Sequence, residues 1–328
     1  MPKGYTHVTH EERCQIYALK STGMSIRKIA YQLKKDASTI SREIIRNSGK
    51  RGYRYKQAHE KAVSRRKKAS SSARKMTASA INIINQCLLL EWSPEQISGR
   101  MKVEGRSISH ESIYQHIWQD KKNGGFLYKH LRRYGRRRNK RSSGMSGRGH
   151  IPNRIDISTR PRIVDSKSRI GDWEGDTIIG AKHQGAILSY VDRHSKFTIL
   201  RKLERKTALL VKNATLQSMV KIKDFVHTIT YDNGKEFCAH QEIAEQLNAK
   251  CFFATPYRSC ERGLNEHTNG LVRQYLPKNT DFSKISDAMI AFVENRLNHR
   301  PRRSLNYKTP FEVFHSQCLS FTGVALRC

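Results

Sequence analysis

Three carboxylates, those of Asp176, Asp232 and Glu266, stand where a divalent-metal site could form. Asp176 ends the segment Gly-Asp-Trp-Glu-Gly-Asp, Asp232 opens an Asp-Asn-Gly turn after an apolar run, and Glu266 lies in Arg-Gly-Leu-Asn-Glu-His. Three acidic side chains brought together can hold two divalent cations, and such ion pairs cut and join phosphodiester backbones. Since the rest of the chain is strongly basic, the pattern predicts an enzyme that acts on nucleic acid.

The composition indicates a polyanionic partner. The 328 residues carry a net charge of +34 and a pI of about 10.2, and phosphate neutralisation makes nucleic acid the first expectation. Residues 1–150 hold 34 Lys and Arg against 10 Asp and Glu, whereas residues 151–328 hold 28 against 18. Binding is therefore expected in the first half and chemistry in the second. The chain has no run of about 18 apolar residues and no signal-peptide core, so no membrane partner is expected.

The cysteines bear on the compartment. All seven are scattered along the chain, and they include no C-x-x-C pair. This usage disfavours a disulfide framework or a zinc ribbon and is typical of reduced thiols. A cytoplasmic location is therefore expected.

Residues 1–50 are predicted to form a helix-turn-helix DNA-binding domain. Three short helices separated by turns are expected in it. Thr9 and Glu12 have the spacing of a capping box at the start of the first helix. Ser25 and Ser38 are the expected caps of the second and third helices.

The third of these helices has the pattern of a recognition helix. Ile40 and Ile44 face inward, which leaves Glu43 outward among short polar and Arg side chains that can reach base edges. The other interpretation is a generic trihelical bundle with a solvated polar face, but the overall charge favours DNA binding. The residues predicted to contact DNA in this domain are Arg27, Ser38, Thr39, Ser41, Arg42 and Arg46.

Residues 51–131 are predicted to form a second helical region that also binds DNA. Its first part, residues 51–75, is rich in Lys, Arg and Ser and is either a basic helix along phosphates or a flexible tether. Ser93, which precedes a proline, and Ser109 mark two helix starts, and this pair favours a second helix-turn-helix. Residues 132–160 are expected to form a basic linker that contacts backbone phosphates.

Residues 161–316 are predicted to fold as a mixed α/β sheet with helices on its faces. In this part the apolar pattern changes to that of short strands bounded by turns, and a tail, residues 317–328, follows it. The predicted strands are residues 173–179, 186–192, 197–203, 226–231 and 251–254, and the predicted helices are residues 207–222, 240–248 and 259–276.

The predicted sheet gives two of the carboxylates a common edge. Asp176 lies on the first strand, and Asp232 follows the fourth at its carboxyl end, where α/β sheets bind ligands. Asp172 and Glu174 compete with Asp176 because strand parity does not separate the three. A single acidic residue here could be a turn former, but joint placement on separate elements favours a site. Weaker competitors for the remaining roles are Glu236 and Glu261.

The last predicted helix presents the third carboxylate. Glu266 shares one face with three side chains suited to DNA phosphate, so it is expected to face the metal ions. Gly263 and Gly270 are expected to leave room for a close approach of backbone. The three phosphate-binding candidates on this face are Arg262, Asn269 and Arg273, and the opposite face carries Leu264, Leu271 and Tyr275.

The expected chemistry uses metal ions and no covalent nucleophile. Oxygen ligands suit Mg²⁺ or Mn²⁺, and two ions about 3.5–4 Å apart are expected in each active site. One ion would activate water or a DNA 3′-hydroxyl, and the other would stabilise the leaving 3′-oxygen in an in-line displacement. The predicted enzyme is therefore a metal-dependent polynucleotidyl transferase.

Several motifs resemble those of the insertion-sequence-30 family of bacterial transposases, along nearly the whole chain. Similar to the family's D-D-E motifs are Trp173-Glu-Gly-Asp, Asp232-Asn-Gly and Arg262-Gly-Leu-Asn-Glu-His-Thr-Asn-Gly-Leu-Val-Arg-Gln-Tyr-Leu-Pro-Lys. Asn298-His-Arg-Pro-Arg-Arg-Ser-Leu is similar to the segment that closes the family's retroviral-integrase-like core. The N-terminal region of the family has segments similar to Ser25-Ile-Arg-Lys-Ile-Ala, Ser38-Thr-Ile-Ser-Arg-Glu and Trp92-Ser-Pro-Glu-Gln-Ile-Ser.

The resemblance implies a ribonuclease-H-like core that cleaves donor DNA and transfers its strands into target DNA. It implies that the N-terminal domain binds double-stranded DNA at terminal inverted repeats, and that a homo-oligomer holds the two ends in a bacterial cytoplasm, associated with the nucleoid. It selects Asp176 as the first catalytic and metal-binding carboxylate, beside Asp232 and Glu266. Cys260 and His267 depart from the Trp and Asn usual in the family, next to this site.

Two other functions are compatible with this organisation. One is a DNA-binding regulator whose integrase-like domain is catalytically silent. The presence of all three carboxylates disfavours this function. The other is a nuclease that acts on RNA–DNA hybrids. A domain that reads DNA sequence disfavours this nuclease, which has no need of an operator-like site.

Overall fold

The computed structural model describes residues 7–72, 76–132, 151–255 and 259–322. The chain divides into two compact units, Met1–Thr77 and Ala78–Cys328. Within the described ranges, no helix has both the length and the apolar character that a bilayer crossing requires.

The first unit is a bundle of helices around one apolar core. Ile16, Ile29, Ile40 and Ile44 are buried at its centre together with Tyr53, as the apolar periodicity predicts. The fourth helix packs against the first and the third. The helices are α1, His10–Ser21; α2, Ile26–Gln32; α3, Ala37–Asn47; and α4, Tyr55–Ser72.

The helix starts of this unit test the predicted caps. The Thr9 hydroxyl accepts from the Glu12 backbone N–H and the Glu12 carboxylate accepts from the Thr9 N–H, so the capping box is confirmed. Ser25 is the N-cap residue of α2, as predicted, but its side chain makes no capping hydrogen bond. The predicted cap at Ser38 is wrong, because the Asp36 carboxylate accepts from the Ser38 N–H at 2.7 Å and starts α3 earlier. A carboxylate is a strong acceptor there and suits the positive end of the helix dipole.

Three helices begin the second unit and are fixed to its C-terminal part. Arg100 donates from both terminal guanidinium nitrogens to the Glu312 carboxylate, at 2.9 and 2.8 Å. A Cβ added at Gly99 would lie 2.3 Å from the Tyr307 ring, so only glycine allows this contact. The helices are α5, Ala78–Leu89; α6, Pro94–Val103, capped by Ser93; and α7, His110–Lys122, capped by Ser109.

A five-stranded mixed sheet forms the centre of this unit, as predicted. Its order is β3-β2-β1-β4-β5, in which β1 is antiparallel to β2 and parallel to β4. Apolar clusters cover both faces, one around Trp173 and Phe253 and one around Leu271 and Val293. The strands are β1, Asp172–Ile179; β2, Ala186–Asp192; β3, Thr198–Leu203; β4, Thr228–Tyr231; and β5, Lys250–Phe253.

The helices of the sheet region lie close to their predicted positions. The predicted helix over residues 207–222 ends as a 3-10 segment, and the one over residues 259–276 begins as a 3-10 segment. The α-helices are α8, Arg162–Ser166; α9, Ala208–Met219; α10, His240–Leu247; α11, Gly263–Tyr275; α12, Asp287–Asn298; and α13, Pro310–Thr322. The 3-10 segments are Leu127–His130, Ile157–Thr159, Ala181–His183, Val220–Phe225, Lys235–Phe237, Ser259–Arg262, Phe282–Lys284 and Arg303–Leu305.

The compact units are drawn differently from the predicted functional divisions. Helix α4 lies with the first unit and α5 to α7 lie with the sheet, whereas the sequence groups all four in residues 51–131. Residues 151–160 end the predicted linker, yet Asp156 forms a parallel bridge with Phe253 at the edge of β5. Helix α13 continues into the predicted tail. The linker residues 133–150 lie outside the described part of the chain, and the predicted boundaries stay a prediction.

Candidate active site

Asp176 lies within β1, and Asp232 directly follows the carboxyl end of β4, the strand parallel to β1. The register of β1 and β4 pairs Asp172 with Thr228 and Glu174 with Thr230. Two residues further, the same register sets Asp176 opposite Asp232, just after β4 ends. The predicted position of the two carboxylates, on the first strand and after the fourth, is confirmed.

Arg262 lies between the two carboxylates. Its Nη1 is 3.5 Å from Oδ1 of Asp176 and its Nη2 is 3.6 Å from Oδ2 of Asp232. Arg262 belongs to the 3-10 segment that precedes α11, and its side chain is 15% exposed. One cation therefore offsets the repulsion between two carboxylates held close together.

Asn269 fixes the orientation of the first carboxylate. Its Nδ2 donates to Oδ2 of Asp176 at 2.7 Å, while its own Oδ1 accepts from the Ser189 hydroxyl at 3.1 Å. The backbone N–H of Thr177 donates to Oδ1 of Asp176 at 2.9 Å. Sequence reasoning missed Ser189, although it lies directly opposite Asp176 on the antiparallel neighbour β2.

The surroundings of Asp176 alter its acidity. Burial raises the pKa of its carboxyl to about 6. The Arg262 guanidinium opposes the rise, and the neighbouring charge of Asp232 adds to it. A carboxyl with a raised pKa beside a second acid and a cation is a common feature of functional sites.

The two competitors of Asp176 have structural partners instead. Asp172 is fully buried and accepts from the Arg169 guanidinium at 3.0 and 3.1 Å and from the Thr228 hydroxyl. Glu174 is bound by Arg193 at 2.5 Å, and its second oxygen accepts from the backbone N–H of Asn265. Both carboxylates are therefore occupied by contacts that hold the fold.

The weaker competitors are occupied in the same way. Glu236 is buried and binds the Thr177 hydroxyl at 2.8 Å and the Lys206 ammonium at 2.7 Å. Glu261 accepts from the backbone N–H of Thr255 at 2.8 Å. Both carboxylates therefore have intramolecular partners.

Glu266 is not brought to the aspartate pair. It lies in the first turns of α11, its side chain is exposed, and it has no hydrogen-bond or ion-pair partner among the described residues. No cluster of three His, Cys, Asp or Glu suited to a metal ion occurs in the described ranges. The side chains that contact the aspartate pair from this part of the chain are those of Arg262 and Asn269. The catalytic and metal-binding role of Glu266 stays a prediction.

The other predictions for α11 have mixed outcomes. Arg273 donates to the carbonyl oxygens of Ile179 and Pro277 and lies over the Phe282 ring, so its guanidinium has intramolecular partners. The predicted close approach of backbone to Gly263 and Gly270 is wrong, because a Cβ at either position would have no described atom within 4 Å. On the opposite face of the helix Leu271 is buried, as predicted.

Of the two residues that depart from the family pattern, the structure describes the side chain of His267. His267 is exposed and lines a cavity of about 750 Å³ beside the start of α11. The basic side chains of Arg160, Lys167 and Lys196 line the same cavity. The side chain of Cys260 lies outside the described part of the chain.

The predicted recognition helix, α3, exposes much of its predicted surface. Arg42 is exposed and its guanidinium turns back onto Ser38, with 2.6 Å to the hydroxyl and 3.0 Å to the carbonyl oxygen. The prediction that Glu43 points outward is wrong, because Arg13 on α1 binds its carboxylate at 2.7 Å and both side chains are nearly buried. Arg27 and Arg46 are exposed, and Thr39 and Ser41 are half-buried.

Two family models match this chain. Residues 4–47 match the model of a helix-turn-helix domain, and residues 167–259 match the model of an integrase core domain. The first match covers α1 to α3 and the second covers the complete sheet. The predicted fold class, helix-turn-helix followed by a ribonuclease-H-like integrase core, is thereby confirmed.

Similar proteins extend over almost the whole chain. The transposase of insertion sequence element IS4351 from Bacteroides fragilis is 46% identical, over 97% of this chain and 98% of that protein. Transposase InsI of insertion sequence element IS30C from Escherichia coli strain K12 is 34% identical, over 99% of this chain and 86% of that protein. Among solved structures, the catalytic core domain of BIV integrase aligns with 46% of this chain and 98% of its own, at 21% identity and a TM-score of 0.37. With identity of this extent to named transposases and with both domain models matched, the chain belongs to the IS30 family of insertion-sequence transposases.

Proposed function

We propose that this transposase binds the terminal inverted repeats of its element through α3, and cuts and joins DNA at Asp176 and Asp232 with divalent metal ions. The observation that carries the proposal is the aspartate pair on neighbouring parallel strands, Asp176 within β1 and Asp232 just after β4, with the Arg262 guanidinium between the two carboxylates. Glu266 is assigned as the third acidic group, and two Mg²⁺ or Mn²⁺ ions per site remain our expectation.

The donor set fits a divalent cation in part. Asp176 and Asp232 offer oxygen ligands on one edge of the sheet, next to a position already favourable for positive charge. Bound metal ions would supply Lewis-acid activation of the attacking and leaving oxygens. Asn269 and the Thr177 N–H orient the Asp176 carboxylate, which reduces the reorganisation needed at the moment of reaction.

Basic side chains of this unit are the candidates for phosphate recognition. In the cavity beside α11, Lys167 is exposed and can stabilise a polyanion, whereas Arg160 is paired with Asp165 and Lys196 donates to the carbonyl oxygen of Arg193. Arg262 is close enough to the carboxylates to contact DNA that enters between them. We therefore keep Arg262 and Asn269 as candidate DNA contacts, and Arg273 as a weaker one because of its intramolecular partners.

The assembly follows from the chemistry of the element. Two DNA ends must meet at one reaction centre, so we propose that a homo-oligomer on double-stranded DNA is the active form, with target DNA as its second substrate. Association with the nucleoid in the bacterial cytoplasm is part of the same proposal. Size measurements of the protein alone and with end DNA test it, and a monomer on both would contradict it.

Metal removal separates the transposase from the silent regulator. With a duplex that carries the element's own ends, we expect cleavage and joining in Mg²⁺ or Mn²⁺ and a loss of at least about a hundredfold after chelation. Binding of the same duplex should persist, because α3 lies in a different compact unit from the aspartates. Binding without cleavage under every metal condition would favour the regulator.

Arg42 is expected to contribute sequence recognition. Substitution of Arg42 by Ala should cost about 1–3 kcal/mol of binding to the element's ends and much less to an unrelated duplex. The matched control is Arg51→Ala, another exposed arginine of the first unit that lies outside α3. Competition titrations with both duplexes measure the effect, and equal losses on both would make Arg42 a phosphate contact.

A further inference from the structure

A groove between α3 and α4 collects cations that the proposed catalysis does not use. It has a volume of about 310 Å³. Arg42 and Arg46 line it from α3, and Arg65 and Arg66 line it from α4. Four guanidinium groups in one small groove repel one another, so the groove carries a concentrated positive potential.

The carboxylate in the groove does not neutralise these cations. Glu43 is held by Arg13, with 2.7 Å from Nε to Oε1 and 3.3 Å from Nη2 to Oε2, and Tyr53 donates its hydroxyl to the same carboxylate. The two charges cancel at the floor of the groove, where the side chains are 4% and 10% exposed. None of the four arginines of the rim forms an ion pair with a described carboxylate.

Helix α4 is fixed against the carboxyl end of α3. Arg65 donates to the carbonyl oxygen of Arg46 at 3.3 Å and to Oδ1 of Asn47 at 2.8 Å. Lys61 donates to the carbonyl oxygen of Ser48 at 2.7 Å. These contacts satisfy carbonyl groups that the end of a helix leaves unpaired. The groove is therefore a built part of the unit, with walls of fixed spacing.

Arg66 differs from its neighbour Arg65. Its side chain is exposed and has no partner among the described residues, although it lines the groove. Arg46 on the facing wall is in the same condition. Two such arginines across a groove suit an oxyanion, because each guanidinium can donate a fork of hydrogen bonds to it.

We propose that the groove binds a backbone phosphate of the DNA duplex that α3 reads, with Arg66 as its main donor. A phosphodiester is the anion that lies beside a recognition helix when the helix contacts base edges. The inference rests on the DNA binding proposed above and extends the DNA-binding surface beyond residues 4–47, the part that the helix-turn-helix model matches. Helix α4 thus acts as a clamp and not as a tether.

The test compares two neighbouring charges in the full-length chain. Arg66→Ala and Lys67→Ala each remove one cation from α4, but only Arg66 lines the groove. The probes are a duplex selected by the wild-type chain from a random pool and an unrelated duplex of equal length. Affinities are measured over a series of KCl concentrations, and Arg66→Lys serves as the charge-preserving variant.

Arg66→Ala is expected to weaken binding of both duplexes by a similar factor, about tenfold at moderate salt. The slope of log affinity against log salt should become smaller by about one, as for the loss of one phosphate contact. Lys67→Ala should change both quantities clearly less, and Arg66→Lys should recover most of the slope.

Three outcomes would overturn the assignment. Equal effects of Arg66→Ala and Lys67→Ala would show that the groove has no special role. A loss confined to the selected duplex would indicate a base contact, and failure of Arg66→Lys to recover the slope would indicate a structural role. If the random pool yielded no duplex that the wild-type chain binds, the proposed DNA-binding function itself would fail, which is a distinct result.

Discussion

Substitution of Asp232 by Asn is expected to reduce DNA cleavage and strand transfer by about a thousandfold or more, while duplex binding stays within about threefold. Asp232 lies opposite Asp176, and Arg262 contacts both carboxylates. Asn keeps the shape but removes the charge that a divalent cation needs from its ligand. The loss should therefore appear in catalysis and not in the affinity for DNA ends.

The control for this variant is Asp224→Asn, the same change at an exposed acid of the same unit. Cleavage of end-labelled duplex and joining into a target plasmid measure the two reactions, and thermal unfolding confirms that each variant folds. Asp176→Asn should behave like Asp232→Asn. If either variant cuts or joins DNA at a rate near the wild type, the assignment of the aspartate pair is wrong.

Substitution of Glu174 by Ala is expected to destabilise the second unit by about 3–5 kcal/mol, as for removal of one partner of a buried ion pair. The side chains of Glu174 and Arg193 are 2% and 6% exposed, and their atoms lie 2.5 Å apart. Without Glu174 the Arg193 guanidinium loses its strongest partner in a region where burial and the charge of Arg160 already lower its pKa. The backbone N–H of Asn265 also loses its acceptor.

The matched control is Glu242→Ala, which breaks the ion pair with Lys212. The Glu242 side chain is 57% exposed, so this change should cost less than about 1 kcal/mol. Thermal unfolding should show a decrease in midpoint of roughly 10 °C for the Glu174 variant and of a few degrees at most for the control. Similar decreases for both variants would contradict the importance of burial for this pair.

The sequence predicts those features that depend on local patterns. The capping box of Thr9 and Glu12 involves residues three apart, and the short apolar segments bounded by turns define β1 to β3 within a residue of their observed ends. The positions of Asp176 and Asp232 follow from the same patterns, because a strand and the turn after it are local features. The helix-turn-helix is predicted correctly for the same reason.

The remaining features depend on contacts between distant residues. Glu174 has the same strand parity as Asp176, and only Arg193 and Asn265, far along the chain, distinguish their roles. Glu43 reads as a surface residue of α3 until α1 supplies Arg13. Helical spacing also places Glu266 and Asn269 on one side, yet only Asn269 meets Asp176, because side-chain direction depends on the packing of α11.

The attachment of α6 to the C-terminal part of the second unit holds this helix at a fixed distance from the aspartate pair. Arg100 binds Glu312, and Gly99 lets the Tyr307 ring lie against the helix, so α6 and α7 belong to the same compact unit as the aspartates. If the predicted second DNA-binding region, residues 51–131, holds DNA through these helices, that DNA would reach Asp176 and Asp232 at a constant number of base pairs from its point of contact. The position of the cut would then be set by the dimensions of the protein.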